Sequence, residues 1–278
     1  MIRNLCSITV TYNPILADGR LTRQLYFLKE NCLRSAIVDN NSSNIYSVEE
    51  LARNVGGNFS IHRGESNIGI AGALNLGIDI LRNHDECEWV LLLDQDTIPL
   101  ENSINEVNDE MERVNVHGVD LIALNYQKTR FAKMRMQNPN LIPVFTDSAI
   151  TSGSIVRKRI LEQIQFDSSL FMYYVDDDFC HRLKHFGSRI LLSSKGIMDH
   201  AEGERIERGE YKYFCLEPKR FFYVGRNSFR MLFRYLDFKA IIYSIELLLE
   251  NIIAGYCIGK TIKWFARGIF SLVDLLPE

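Results

Sequence analysis

What the chain lacks narrows the reading first. No two of its six cysteines, at positions 6, 32, 87, 180, 215 and 257, form a CxxC pair. Spacing that wide argues against a zinc site and is expected of reduced thiols in a cytosolic protein. Neither sign of charge dominates: 32 Lys and Arg stand against 35 Asp and Glu, a net of -3. The total therefore gives no footprint for a nucleic-acid partner. No uncharged apolar run reaches the length of about 18 residues that a spanning helix needs. The longest candidate, Ala240 to Gly259, is interrupted by Glu246, Glu250 and Asn251. Met1 to Val10 has no apolar core of signal-peptide type. Repeats and low-complexity segments are missing. So are the phosphate-gripping loops G-x-G-x-x-G and G-x-x-x-x-G-K-[ST].

What is present is a globular composition, 46% apolar over 278 residues, enough for a full core. Short β-rich apolar runs alternate with helical spacing through the first hundred residues. Leu5 to Thr11, Ser35 to Asp39, Asn58 to Arg63 and Glu88 to Asp94 read as strands. Leu21 to Lys29, Val48 to Asn54 and Ile70 to Arg82 read as helices. That alternation predicts βαβ units and a parallel sheet covered on both faces. Further on, Leu121 to Asn125, Ser148 to Val156 and Arg189 to Ser193 are expected strands, and Asp176 to Phe186 has helical spacing. From Tyr211 the pattern changes to long helices bearing Arg, Lys and aromatics. The expected division is a catalytic domain over 1–210, its nucleotide-binding half 1–100 and its acceptor-binding half 101–210, followed by a helical region over 211–278.

Polar residues gather where the predicted strands end, at Thr11 to Asn13, Asp39 to Asn41 and Asp94 to Asp96. Open α/β sheets bind ligands at such ends, which places a nucleotide there. In Asp94-Gln95-Asp96, two carboxylates one residue apart can approach a single Mg²⁺ or Mn²⁺. Taken alone, the triplet can also be read as a solvated turn. Asn67-Ile-Gly-Ile-Ala-Gly-Ala-Leu-Asn75-Leu-Gly77 is rich in small residues. Its glycines suit either close approach to a ligand or tight packing of a helix on the sheet, while Asn67 and Asn75 are less easily explained by packing. Asp176, Asp177 and Asp178 follow an apolar run. They suit either a helix N-terminus or a base for an acceptor hydroxyl, and Asp176 is the residue placed for the second task. His200 gains meaning only from these partners.

Together these residues resemble the family 2 glycosyltransferases, in their bacterial rhamnosyltransferase-like branch. The resemblance runs from about Cys6 to about Tyr235. It rests on Val10-Thr-Tyr-Asn-Pro14, Ile37-Val-Asp-Asn40, Asn67-Ile-Gly-Ile-Ala71, Leu93-Asp-Gln-Asp96, Thr151-Ser-Gly-Ser154, Val175-Asp-Asp-Asp-Phe-Cys-His-Arg182 and His200-Ala-Glu-Gly203. It implies an α/β GT-A fold, Rossmann-like, with a mostly parallel sheet, helices on both faces and a C-terminal helical extension. It implies inverting transfer of a sugar, dTDP-rhamnose being the leading donor, to a glycan acceptor in bacterial surface polysaccharide synthesis. By resemblance, Thr11, Tyr12, Asn13, Asp39, Asn40, Asn67, Gly69, Ala71, Asn75, Asp94 and Gln95 hold the nucleotide. Asp94, Asp96 and His200 match the residues that bind Mg²⁺ or Mn²⁺. Asp176 aligns with the base and Asp178 with a second acid that orients donor or acceptor. Ser152, Gly153 and Arg182 border the acceptor. The family often has Glu and Trp where this chain has Asp178 and Phe179, and Arg226-Asn227 matches a pair in its first C-terminal helix.

Two rival readings share the sheet. A nucleotidyltransferase would place a basic Gly-rich loop after the first strand, where this chain has Tyr12-Asn13-Pro14. A non-catalytic binding subunit would have lost Asp94, Asp96 or Asp176, and all three remain. The basic and aromatic C-terminal helices suit either an anionic membrane surface, where a lipid-linked acceptor would reside, or a contact with the catalytic domain or a second copy.

Overall fold

The computed structural model describes residues 1–126, 142–201, 205–208 and 211–271. Glu202 and Gly203, the end of the His200 motif, lie outside them. The chain divides into two compact units. One comprises 1–169 and 175–201, the other 170–174 and 202–278.

The first unit is built on a nine-stranded sheet. Strands β1 (Leu5–Thr11), β2 (Arg34–Asp39), β3 (Phe59–Arg63) and β4 (Trp89–Asp94) are parallel neighbours in the order β3-β2-β1-β4. They are joined by α1 (Arg20–Asn31), α2 (Ile45–Val55) and α3 (Gly69–Leu81). This is the alternation read from the sequence. Past β4 the pairing becomes mixed. β8 (Ser154–Arg157) runs antiparallel between β4 and β6 (Val119–Tyr126), and β9 (Arg189–His200) runs parallel to β6. Two three-residue strands, β5 (Thr97–Pro99) and β7 (Val144–Thr146), pair antiparallel with β9.

Side chains alternate across the strands, so each face has its own helices. Leu5, Ile37, Leu91 and Leu93 share one core cluster with Leu25 of α1, Val48 of α2 and Val107 of α4 (Ser103–Arg113). On the other face α3 lies close to β1: a Cβ on Gly77 would sit 2.4 Å from Cγ2 of Ile8. The tight-packing reading of that glycine is therefore the one realised. Two further helices, α5 (Lys158–Ile164) and α6 (Val175–His185), complete the unit.

Three sequence expectations are corrected. The strand expected over 148–156 begins only at Ser154, because Gly153 takes a left-handed φ of +83° that breaks extended backbone. The strand expected over 189–193 runs on to His200. A register shift beside Ala123 and Asn125 lets it continue, and the buried Glu110 carboxylate accepts there from the backbone N–H of Ser194 and Lys195. Six reduced thiols were expected, but Cys6 and Cys87 form a disulfide. β1 and β4 are adjacent, with Cys6 beside Val90, which brings together two cysteines 81 positions apart in sequence.

The second unit holds a hairpin of β10 (Arg205–Arg208) and β11 (Tyr211–Phe214) and three helices, α7 (Arg220–Tyr235), α8 (Phe238–Ile253) and α9 (Ile258–Phe270). Glycines let α7 and α9 cross closely: a Cβ on Gly268 would meet the Phe222 carbonyl oxygen at 2.1 Å. The buried Asn227 amide donates to the carbonyls of Met172 and Tyr173. It thereby fixes a turn in which Tyr173 and Tyr174 both have positive φ, +61° and +62°.

Candidate active site

The site forms where β1, β2 and β4 end. Thr11 and Asp39 are register partners, and the Thr11 hydroxyl donates to the Asp39 carboxylate at 2.9 Å. That carboxylate is fully buried and also accepts from the Ser42 hydroxyl and, at 2.7 Å, from the Ser42 N–H. Asn13, with φ +46°, accepts from Ser43 and donates its N–H to Ser42. Asn40 spans the next gap: its amide donates to the Gly69 carbonyl and accepts from the Ile68 N–H. Asn67 accepts from the Gly69 N–H at 2.9 Å, so the start of α3 is tied to the end of β2. Tyr12 is exposed, and its N–H donates to Gln95 at 2.7 Å. Ala71 is buried inside α3. Asn75 uses both ends of its amide on Phe166, accepting from its N–H at 2.7 Å and donating to its carbonyl at 2.8 Å.

Asp94, Asp96 and His200 come together. One donor atom from each lies within 4.8 Å of the others, a set fit for a divalent cation. The arrangement leaves something for a cation to satisfy: Oδ1 of Asp96 is buried and has no hydrogen-bond partner. The antiparallel pairing of β5 with β9 sets Thr97 opposite His200, which carries the histidine back to the acids. Burial and the neighbouring Asp96 charge push the Asp94 carboxyl up to about 7, with a hydrogen bond from Ser152 working in the opposite sense.

Of the residues that hold this cluster, Thr97, Arg20 and Gln24 gave no motif in the sequence, whereas Ser152 did. Thr97 is buried, and its hydroxyl lies 2.6 Å from Nδ1 of His200 and 2.7 Å from Oγ of Ser152. Ser152 in turn accepts from the Asp94 N–H at 2.8 Å, so it stands in the support of the acid pair. One turn of α1 supplies two more. Arg20 donates to the carbonyls of Asp96 and Asp199 and pairs with the Asp199 carboxylate at 3.1 Å. Gln24 donates to the carbonyls of Asp94 and Thr97. Their i, i+4 spacing was the only available signal.

Asp176 lies in the first turn of α6. It lines a narrow niche with Leu92, Phe166, Phe179 and Cys180. Burial raises its carboxyl above the usual range. The backbone N–H groups of Asp176 and Asp177 lower it, and the charge of Asp94 raises it again. Asp178 is fully buried and accepts from Nε of Arg182 at 2.8 Å. Arg182 also donates to the carbonyls of Ile164 and Gln165, so this pair clamps the end of α5 to α6. Gly153 links strands through its backbone, to Leu92 and Leu124, and a Cβ there would lie 2.1 Å from Sδ of Met198.

The family model for glycosyl transferase family 2 matches residues 8–182, which span the ends of β1, β2 and β4 but not His200 on β9. The chain belongs to glycosyl transferase family 2. It is a GT-A glycosyltransferase, inverting, and acts on a nucleoside-diphosphate sugar and a glycan acceptor. Over 245 residues the enzyme is 25% identical to the dTDP-rhamnosyl transferase RfbF of Shigella flexneri, covering 84% of this chain and 81% of that one. Its fold matches the mannosyltransferase PcManGT of Pyrobaculum calidifontis, solved with GDP-Man and Mn²⁺. The TM-score is 0.57 at 15% identity, covering 99% of this chain and 76% of that one. It also matches S. aureus TarS residues 1–349 in complex with UDP-GlcNAc. There the TM-score is 0.55 at 17% identity, covering 98% and 92% of the two chains.

Proposed function

We propose that this glycosyltransferase moves rhamnose from dTDP-rhamnose to a glycan of a bacterial surface polysaccharide. The observation that carries the transfer chemistry is the Asp94, Asp96 and His200 cluster at the strand ends. The likeness to RfbF, spread over most of both chains, supports the choice of sugar.

In this reading Thr11 to Asn13, Asp39, Asn40, Asn67 and the start of α3 shape the nucleoside pocket. Asp94, Asp96 and His200 hold Mg²⁺ or Mn²⁺. A cation held there would balance the negative charge of a departing diphosphate. The Thr97 hydroxyl lies between Ser152 and Nδ1 of His200 and so holds the imidazole beside the two acids. Asp176, its carboxylate formed, takes the proton of the acceptor hydroxyl as that oxygen attacks the face of C1 opposite the diphosphate. Asp178 and Arg182 act by fixing the helix that carries Asp176.

The test is a melting-temperature series with dTDP, UDP and GDP, with and without Mn²⁺. A nucleotide that binds only the folded chain at 100 times its Kd stabilises it by about 2.7 kcal/mol. The expected result is a shift with dTDP and Mn²⁺ that EDTA removes. A shift with UDP alone would sink the donor assignment, and one indifferent to EDTA would sink the metal.

A further inference from the structure

Helix α8 is inverted with respect to water. Its buried stripe is Ala240, Ser244, Leu247 and Asn251, four residues of which two are polar and one is small. Its opposite stripe is Phe238, Ile242, Ile245, Leu249 and Ile253, each 45% exposed or more. These five repeat at the helical spacing of i, i+4, i+7, so they form one continuous face. Helix α9 repeats the inversion. It buries Thr261 and Gly268 and exposes Ile258, Ile262 and Phe270. Exposed apolar surface on this scale marks an interaction site.

Charge chooses the occupant. Lys260, Lys263 and Arg267 are exposed along one edge of α9, beside its apolar face. Residues 211–278 carry ten basic and six acidic side chains, whereas residues 1–210 carry 22 and 29. The tail is therefore positive on a chain that is otherwise negative. Tyr243 and Tyr256, both exposed, add the aromatic side chains that settle at headgroup depth. Neither helix spans a bilayer, since none is long and apolar enough among the described residues. A self-complementary contact between two copies fits less well. It would set the same three bases on both sides of the seam, with Glu246 the one exposed acid on α8 and α9 to answer them.

We propose that the outer faces of α8 and α9 are a docking surface for an anionic lipid bilayer, with the apolar stripes in the headgroup–acyl boundary and the α9 bases against lipid phosphates. The proposal stands on this unit alone and does not depend on the identity of the sugar.

Sedimentation of the full chain with phosphatidylcholine vesicles, with and without phosphatidylglycerol, tests it. Binding should be about tenfold or more stronger with phosphatidylglycerol, and should fall as salt is raised. Lys260→Glu combined with Lys263→Glu and Arg267→Glu should remove that preference. Ile242→Asn with Leu249→Asn should weaken binding to both vesicle types. Both variants should keep the melting temperature and the nucleotide-induced shift of the parent, so a failed donor assignment and a failed membrane assignment are told apart. A chain that ignores phosphatidylglycerol overturns the proposal. So does binding that survives the charge reversal unchanged. A dimer in solution that Ile242→Asn with Leu249→Asn converts to monomer also overturns it, because a second copy would then cover the stripe.

Discussion

Asp94 and Asp176 are carboxylates raised by the same thing, removal from water; Asp94 also feels the charge of Asp96, and Asp176 that of Asp94. Their consequences differ. For Asp94 the folded-state value of about 7 lies above its ordinary 3.8. In metal-free protein the favourable protonated state is complete below about pH 4 and is lost as pH rises towards 7. Asp94→Asn should therefore raise the metal-free melting temperature at pH 8, and the gain should vanish as pH approaches 4. A shift of about 2–4 °C is what each kcal/mol gives in a chain near this size. Calorimetry in EDTA at the two pH values reads it, and a destabilised variant at pH 8 contradicts the burial account. Asp176→Asn removes a proton acceptor at nearly constant volume. Transfer should fall about 10²-fold or more while nucleotide binding persists. If the rate stays near that of the parent, the base is another group. Both acids stood out in the sequence, because acids after an apolar run are conspicuous. Asp39 stood out too, but only the fold shows it buried, with Thr11 and Ser42 as its partners.

At the scale of elements, the first half of the sheet was legible, and of the second half β6, β8 and β9 were read with inexact ends while β5 and β7 were missed. β1, β2 and β4 are apolar runs buried along almost their whole length, and such runs announce themselves, whereas the edge strand β3 is only half-buried. β5 and β7 are three residues each, too short to carry any period. Helix α4 has only Ile104, Val107 and Met111 as apolar residues on its buried face, besides Ser103 and Glu110. β5 matters out of proportion to its length, for it delivers Thr97 to His200. Thr97→Val keeps the shape and deletes the hydroxyl that links Ser152 to the imidazole. Mn²⁺ affinity should drop about 10- to 100-fold, the usual effect of losing a group that orients a ligand. Titration followed by Mn²⁺ electron spin resonance would show it. An unchanged affinity, with only a lower melting temperature, would leave Thr97 a packing residue.

For the molecule as a whole, the alternation of strands and helices pointed to a parallel α/β sheet, and the resemblance carried by the motifs implied the GT-A fold. The support of the site stayed hidden because its partners are far apart in sequence. Arg20 reaches Asp96 across 76 positions and Asp199 across 179, and Gln24 reaches Asp94 across 70. Only a chain already folded brings these together. This long reach has a kinetic meaning. Contacts of large sequence separation close slowly, because loop entropy opposes them until neighbouring structure is in place. The candidate pocket for a cation should therefore form late in folding, leaving an ion no formed site on which to nucleate it. In refolding from denaturant, helical ellipticity should recover first and Mn²⁺ binding should appear only in the slowest phase. Adding Mn²⁺ should leave the early phase unaltered and act on unfolding alone, as an ion that holds shut a structure it had no part in building.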